Sequence, residues 1–241
     1  MSEVLPPLIA VIGCDGSGKS TVTAELESWL NARRPTVTCH LGKQSGNIGR
    51  QIARLPLFGS RLDKSIHAKA RKAQGEKGPG LVEALVIYAF ALRRGYRFRR
   101  MLRLRRSGHA IIADRFPQVE VPGPMDGLGL AAARPGGLVG LLAASERKLF
   151  ERMTAHEPDL VLRLNVSLEV AAARKPDHRF TSLQRKIGDV PKLRFGKAPI
   201  VELDAEEPLD VVLTRAKAAV AKLLEGRASE QGALGGLSDA A

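Results

Sequence analysis

Gly13-Cys14-Asp15-Gly16-Ser17-Gly18-Lys19-Ser20 follows the pattern G-x-x-x-x-G-K-[ST]. Immediately upstream, Leu8-Ile9-Ala10-Val11-Ile12 is a continuous apolar run of strand length. Downstream, Ser20 to Leu30 is built of helix formers, with apolar positions at Val22, Leu26, Trp29 and Leu30. Strand, glycine loop and helix in that order are the context in which this pattern cradles phosphate. The glycines let backbone N–H groups crowd around an anion, and the helix presents its positive end to it. The implied ligand is ATP with Mg²⁺. Gly13, Asp15, Gly16, Ser17, Gly18, Lys19, Ser20 and Thr21 are the expected nucleotide contacts, with Lys19 reaching the β and γ phosphates and Ser20 ligating the metal.

Four further segments read as strands: Thr36–Leu41, His109–Ala113, Asp159–Asn165 and Ile200–Leu203. Helices are predicted from Leu81 to about Arg106, around Ser145 to His156, from Ser167 to Ala173 and from Pro208 to Leu224. The first rests on the spacing Leu81, Leu85, Tyr88, Leu92, Tyr96. Alternation of strands and helices predicts an α/β chain with a parallel sheet, whose carboxyl edge binds the ligand. His40, Lys43 and Gln44 fall at that edge after the second strand, and Asp114-Arg115-Phe116 falls there after the third. A carboxylate at such a tip can hold Mg²⁺ or its water, or accept a proton, and the arginine beside it can clamp a phosphate. Residues 45–80 are mixed and basic, with helical stretches expected and boundaries left open.

The 241 residues suit one domain, read as 1–225, with 226–241 as a disordered tail and 117–145, rich in Pro, Gly and Ala, as a mobile cover or substrate loop. A formal charge of +13, from 38 Lys and Arg against 25 Asp and Glu, favours anionic partners. Eight arginines fall between Arg93 and Arg106 without one acid. They read as a solvated face, as a phosphate contact from the first one or two, or as a nucleic-acid or membrane surface. Aromatic residues make up only 4% of the chain, so base stacking has little to work with and nucleic acid ranks below a small acceptor. Cys14 and Cys39 form no metal-binding pattern, which suggests reduced thiols and a cytoplasmic location. No secretory signal or membrane span is read from the sequence.

With these residues in place, the chain resembles the thymidylate kinase family of nucleoside monophosphate kinases over about residues 8–222. The pillars are the loop at 13–20, Asp114-Arg115-Phe116, and the run from Pro158 to Ala171 that precedes the family's lid. The resemblance implies a P-loop three-layer α/β sandwich with a five-stranded parallel sheet and a basic lid at about 174–197. It implies that Asp15 faces the sugar hydroxyl of the acceptor nucleotide and Arg115 holds its phosphate, while Asp114 organises the metal or the reacting oxygens. Arg93 or Arg94 would be a further acceptor-phosphate arginine. The catalytic cation would come from the lid, where Arg174, Lys175, Arg179, Arg185 and Lys186 are the candidates and Arg179 is taken with Lys19, Asp114 and Arg115 as the catalytic set.

The chain departs from that family at Ile12, at His40-Leu41-Gly42-Lys43-Gln44 and at Pro117 to Pro122, all on the acceptor side. Three readings therefore stand: phosphorylation of dTMP or a related monophosphate, phosphorylation of a nucleoside, sugar or other hydroxyl compound, or a nucleotide-dependent binding protein. A homodimer is compatible with each.

Overall fold

Parallel strands buried on both faces are written as unbroken apolar runs, and the chain carries such runs at the centre of its sheet. The computed structural model describes residues 5–42 and 78–238. Its strands are β1 (Leu8–Gly13), β2 (Thr36–His40), β3 (Ala110–Asp114), β4 (Leu160–Asn165) and β5 (Ile200–Asp204). All neighbours pair in parallel, in the order β2-β3-β1-β4-β5, giving the expected α/β P-loop architecture. The helices are α1 (Lys19–Asn31), α2 (Leu81–Arg106), α3 (Gly137–Thr154), α4 (Leu168–Arg174), α5 (Phe180–Asp189) and α6 (Leu209–Ser238), with a short 3-10 turn at Val190–Lys192.

The described chain divides into two compact units. The first, Met1–Leu41, Arg97–Phe116 and His156–Ala241, contains the whole sheet. Its central strands are fully buried from Leu8 to Val11 and from Ala110 to Ala113. Val22, Leu26 and Leu30 of α1 and Val212, Ala216 and Val220 of α6 are buried at helical spacing, each stripe covering one face of its helix. Phe98 meets Phe116 edge to face, with ring centroids 5.6 Å apart.

Helix α6 continues through residues 226–238, where a disordered tail was expected. Arg227 explains part of the difference. Its guanidinium pairs with Asp159 at 2.7 Å and donates to the Leu5 carbonyl, tying the helix to the start of the sheet. A neighbouring guanidinium, Arg105, donates to the other Asp159 oxygen at 2.7 Å and to the Pro6 carbonyl at 2.6 Å.

The second unit comprises Gly42–Tyr96 and Pro117–Ala155. In it, the segment after Pro117 is tied down rather than a free cover, and α3 begins at Gly137, well before the expected Ser145. Buried Gln118 donates to the carbonyls of Val121 and Met125 and accepts from the Val121 N–H, all within 2.8 Å. Buried Glu146 accepts from the N–H groups of Gly129 and Leu130 at 3.0 and 2.8 Å. These polar anchors replace the apolar bulk that a Pro- and Gly-rich segment lacks.

The stripe that locates α2 runs along its outer side: Leu81, Leu85, Leu92 and Tyr96 are exposed, while Ala84, Ala91 and Arg94 are buried. The packed side carries Ala84, Ala91 and Arg94 and, further along, Phe98 and Met101. The helical stretches expected within 45–80, and Lys43 and Gln44, lie outside the described residues apart from positions 78–80, which precede α2. No helix among the described residues is long and apolar enough to cross a membrane.

Candidate active site

The carboxyl ends of β1, β3 and β2 lie side by side in the first unit, and the loop from Gly13 to Ser20 follows β1 directly. Two glycines shape it. Gly16 has φ +87°, and a Cβ there would stand 3.0 Å from the Ala171 carbonyl oxygen. Gly18 has φ +81° and caps α1 in the left-handed conformation, which lets the first-turn N–H groups of α1 face the loop cavity. Ser17 Oγ donates to the Cys14 carbonyl at 2.9 Å, holding the loop closed.

Lys19 is the first residue of α1 and is buried, with Nζ donating to the Cys14 carbonyl at 2.6 Å. Burial pushes its ammonium pKa down, and the charge of Arg115 adds to the shift; Asp15 and Asp114 oppose it. A cation desolvated in this way is short of anionic partners, which a phosphate supplies. Ser20 and Thr21 follow on the exposed side of the first turn.

Asp15 is the charge centre of the loop. Arg115 Nη2 donates to its Oδ1 at 2.8 Å, Lys186 Nζ donates to its Oδ2, and His178 Nε2 lies 3.7 Å from the same oxygen. Burial acts to raise the Asp15 carboxyl pKa. The hydrogen bond from Lys186 and the charges of Lys186, Arg115 and Lys19 outweigh it, holding the group well below the usual carboxylate range. Arg115 has φ +64°, a left-handed backbone that a non-glycine residue adopts only under constraint.

Asp114, the last residue of β3, pairs in register with His40, the last of β2. His40 Nδ1 lies 3.0 Å from Asp114 Oδ2, while Asp114 Oδ1 is buried with no hydrogen-bond partner among the described residues. That oxygen, with the Ser20 hydroxyl on α1, fits the donor set for a hydrated Mg²⁺: hard oxygens, few in number, with water and phosphate completing the shell. No cluster of three or more His, Cys, Asp or Glu side chains placed to hold a metal ion exists among the described residues.

Beside the loop, within the same unit, a cavity of ≈ 270 Å³ is lined by Gly18, Thr21, Leu164, Arg174, Ala205 and Leu209, among others. Arg174 donates to the carbonyls of Gly16 and Ala205 at 3.2 and 3.0 Å, so it belongs to this side of the loop.

The remaining sequence candidates separate. Arg179, at the N-cap of α5, is exposed and its side chain makes no hydrogen bond or ion pair with the described residues, whereas Lys186 on the same helix reaches the loop. Arg93 is exposed. Arg94 is buried in the second unit, donating to the Asp126 carbonyl at 2.8 Å and to its carboxylate at 2.5 Å. The residue types at 40, 126 and 178 carried no motif, so their pairings with Asp114, Arg94 and Asp15 were not foreseen. Only strand order brings His40 and Asp114 together.

Among known proteins, the chain is 41% identical over 220 residues to the uncharacterized ATP-binding protein YghR of Escherichia coli K12, covering 90% of this chain and 87% of that one. It is 44% identical over 210 residues to the uncharacterized ATP-binding protein YghS of the same strain, covering 86% and 89%. Identity to a thymidylate kinase of Jannaschia sp. CCS1 is 30% over 173 residues, covering 70% and 69%. No family model matches the chain.

Proposed function

The chain belongs to the family of P-loop ATP-binding proteins that includes YghR and YghS, and on that premise we propose that it is a Mg-ATP-dependent phosphotransferase of the thymidylate kinase type, acting on a nucleoside monophosphate such as dTMP. The observation that carries the reading is the buried Lys19 beneath a glycine loop, flanked by the Asp15–Arg115 pair.

In this reading, loop N–H groups from Gly13 to Thr21 hold the β and γ phosphates, and Lys19 neutralises their charge. The cavity beside the loop takes the adenine base, with Arg174 and the apolar sides of Leu164 and Leu209 around it. When bound, Mg²⁺ draws negative charge off the phosphates, held by Ser20 and by Asp114 directly or through water. Arg115 faces the acceptor phosphate as a planar cation suited to bidentate contact. Phosphoryl transfer needs little covalent help from the protein, so positioning and charge supply the catalysis.

A specific observation supports a second reading, a kinase of a hydroxyl compound. A carboxylate-held imidazole such as His40–Asp114 is the arrangement that accepts a proton from an attacking hydroxyl. ADP release from Mg-ATP, measured across nucleoside monophosphates, nucleosides and sugars, separates the two. Turnover with monophosphates supports the first reading, turnover with hydroxyl compounds alone supports the second, and no ATP-dependent transfer to any acceptor overturns both.

A further inference from the structure

Asp15 gives both carboxylate oxygens to cations, Oδ1 to Arg115 and Oδ2 to Lys186. The Asp15 and Lys186 side chains are 14% and 16% exposed, so the contact is largely withdrawn from water and weakly screened. We propose that Asp15 is a positioning residue that holds Lys186 and Arg115 at the phosphate loop, and that Lys186, rather than Arg179, is the lid cation that meets the transferring phosphoryl group. This rests on the phosphotransferase reading above, and it replaces the sugar contact that resemblance implies for Asp15.

Three observations carry it. Asp15 lies within the phosphate loop between Gly13 and Gly16, so whatever its carboxylate grips is placed relative to the phosphates. Helix α5 is itself seated, because Leu183 is buried within it and Val190, Leu193 and Phe195 are buried just beyond it. Phe195 packs edge-on against Phe116, the residue after Arg115. Finally, the other lid cations are engaged elsewhere or exposed. Arg185 lies 3.8 Å from Asp189 on its own helix, Arg174 is held by the Gly16 and Ala205 carbonyls, and Lys175 and Arg179 face solvent.

Around one carboxylate, then, stand Lys19, Lys186 and Arg115, with His178 close by. The excess of positive charge suits a phosphoryl group passing between two anions. In the transfer, the bond from the γ phosphorus to the bridging oxygen of ADP breaks as the bond from an ionised acceptor-phosphate oxygen forms. ADP departs with the electron pair of the broken bond. Lys186 donates hydrogen bonds to the non-bridging oxygens throughout and loses no proton.

The test is a double-mutant cycle on the full chain with Lys186→Met, Asp15→Asn and the pair, alongside Lys186→Arg and Lys19→Ala. The readout is ADP release from Mg-ATP with dTMP, and without it as basal hydrolysis. Lys186→Met should lower kcat by about 10²–10³-fold with the ATP KM within about threefold, and Lys186→Arg should recover about tenfold or more. Asp15→Asn should lower kcat by about tenfold, and the double variant should lose clearly less than the product of the two single losses, because Asp15 acts in part through Lys186 and in part through Arg115. A Lys186→Met enzyme with near-parental kcat, beside an inactive Lys19→Ala, overturns the proposal and leaves the phosphotransferase reading standing. Losses that multiply in the double variant overturn it equally, since a direct Asp15 contact with the acceptor would behave that way. An active Lys19→Ala overturns the phosphotransferase reading itself.

Discussion

His40 and Asp114 end neighbouring strands with Nδ1 3.0 Å from Oδ2, which leaves the second Asp114 oxygen buried and without a hydrogen-bond partner among the described residues. Strand pairing supplies the geometry, because the two residues are opposite each other in the β2–β3 register. His40→Ala should cost about 1 kcal/mol of stability by urea unfolding, less than a buried bond to a charged group, since the imidazole is 53% exposed. Turnover gives the sharper check. With a hydroxyl acceptor the substitution should cost about 10²-fold or more in kcat, and with a monophosphate acceptor less than about tenfold.

The Arg94–Asp126 pair is a different kind of contact. Arg94 is 1% exposed, so Asp126→Ala removes the carboxylate charge facing a buried guanidinium and should destabilise by about 3 kcal/mol. Arg93→Ala, at an exposed site one residue away, should stay within about 0.5 kcal/mol. Urea midpoints for the two variants check the contrast, and equal midpoints would refute a structural role for Arg94.

Lys19 sets function against stability. Its folded pKa lies below its unfolded value, so the charged form costs stability at neutral pH, and that cost is relieved as pH rises through the folded pKa. Lys19→Met should therefore abolish ADP release without lowering the urea midpoint at pH 7. The midpoint gap between variant and parent should close as pH is raised toward the ordinary lysine value of about 10.4. A variant that unfolds more easily than the parent at pH 7 would contradict this.

Asp15 has the opposite sign. Its folded pKa is depressed, so its contribution to stability is fully present above the unfolded value of about 3.9 and is lost as pH falls through the folded value. The stability difference between parent and Asp15→Asn should be flat from about pH 5 to 7 and narrow below about pH 4. Urea titrations across that range measure it; a difference that persists unchanged at the acid end would show that the carboxylate charge is not the source.

Neither cysteine is poised to react. Burial pushes the Cys39 thiol up to about 11, countered only in part by Arg100, and burial likewise raises Cys14 despite the neighbouring Lys19. At pH 8 the Cys39 thiolate is about one part in a thousand. Alkylation by iodoacetamide at that pH should be slow at both sites in the folded chain and rapid in urea. Fast labelling of folded Cys14 would indicate an open loop.

The phosphate loop, its strand and its helix were legible because each is a local pattern: an apolar run, glycines at the sharp turns, and a lysine at a set offset from them. The same holds for all five strands, found to within a residue or two, and for the extent of α2. Helix α2 also shows where local pattern misleads. Leu81, Leu85, Leu92 and Tyr96 mark a helix yet are exposed, while Ala84, Ala91, Arg94, Phe98 and Met101 are buried, because burial depends on what faces the helix and not on its own spacing. Residues 226–238 misled in the other direction. Glycine-rich composition argued for disorder, yet the helix persists where Arg227 finds Asp159.

The chain's local chemistry was thus enough to establish an α/β nucleotide fold, its strands and the donor-side loop, since each needs only neighbours in sequence. Strand order, and with it the meeting of His40 with Asp114, needed the fold. So did the placement of Lys186 rather than Arg179 beside the loop, since Arg179 sits at the N-cap of α5 and Lys186 seven residues further on within it. Several cations in one segment are equivalent by composition. They become distinct only when the helix that carries them is seated and one of them lies within reach of a fixed carboxylate.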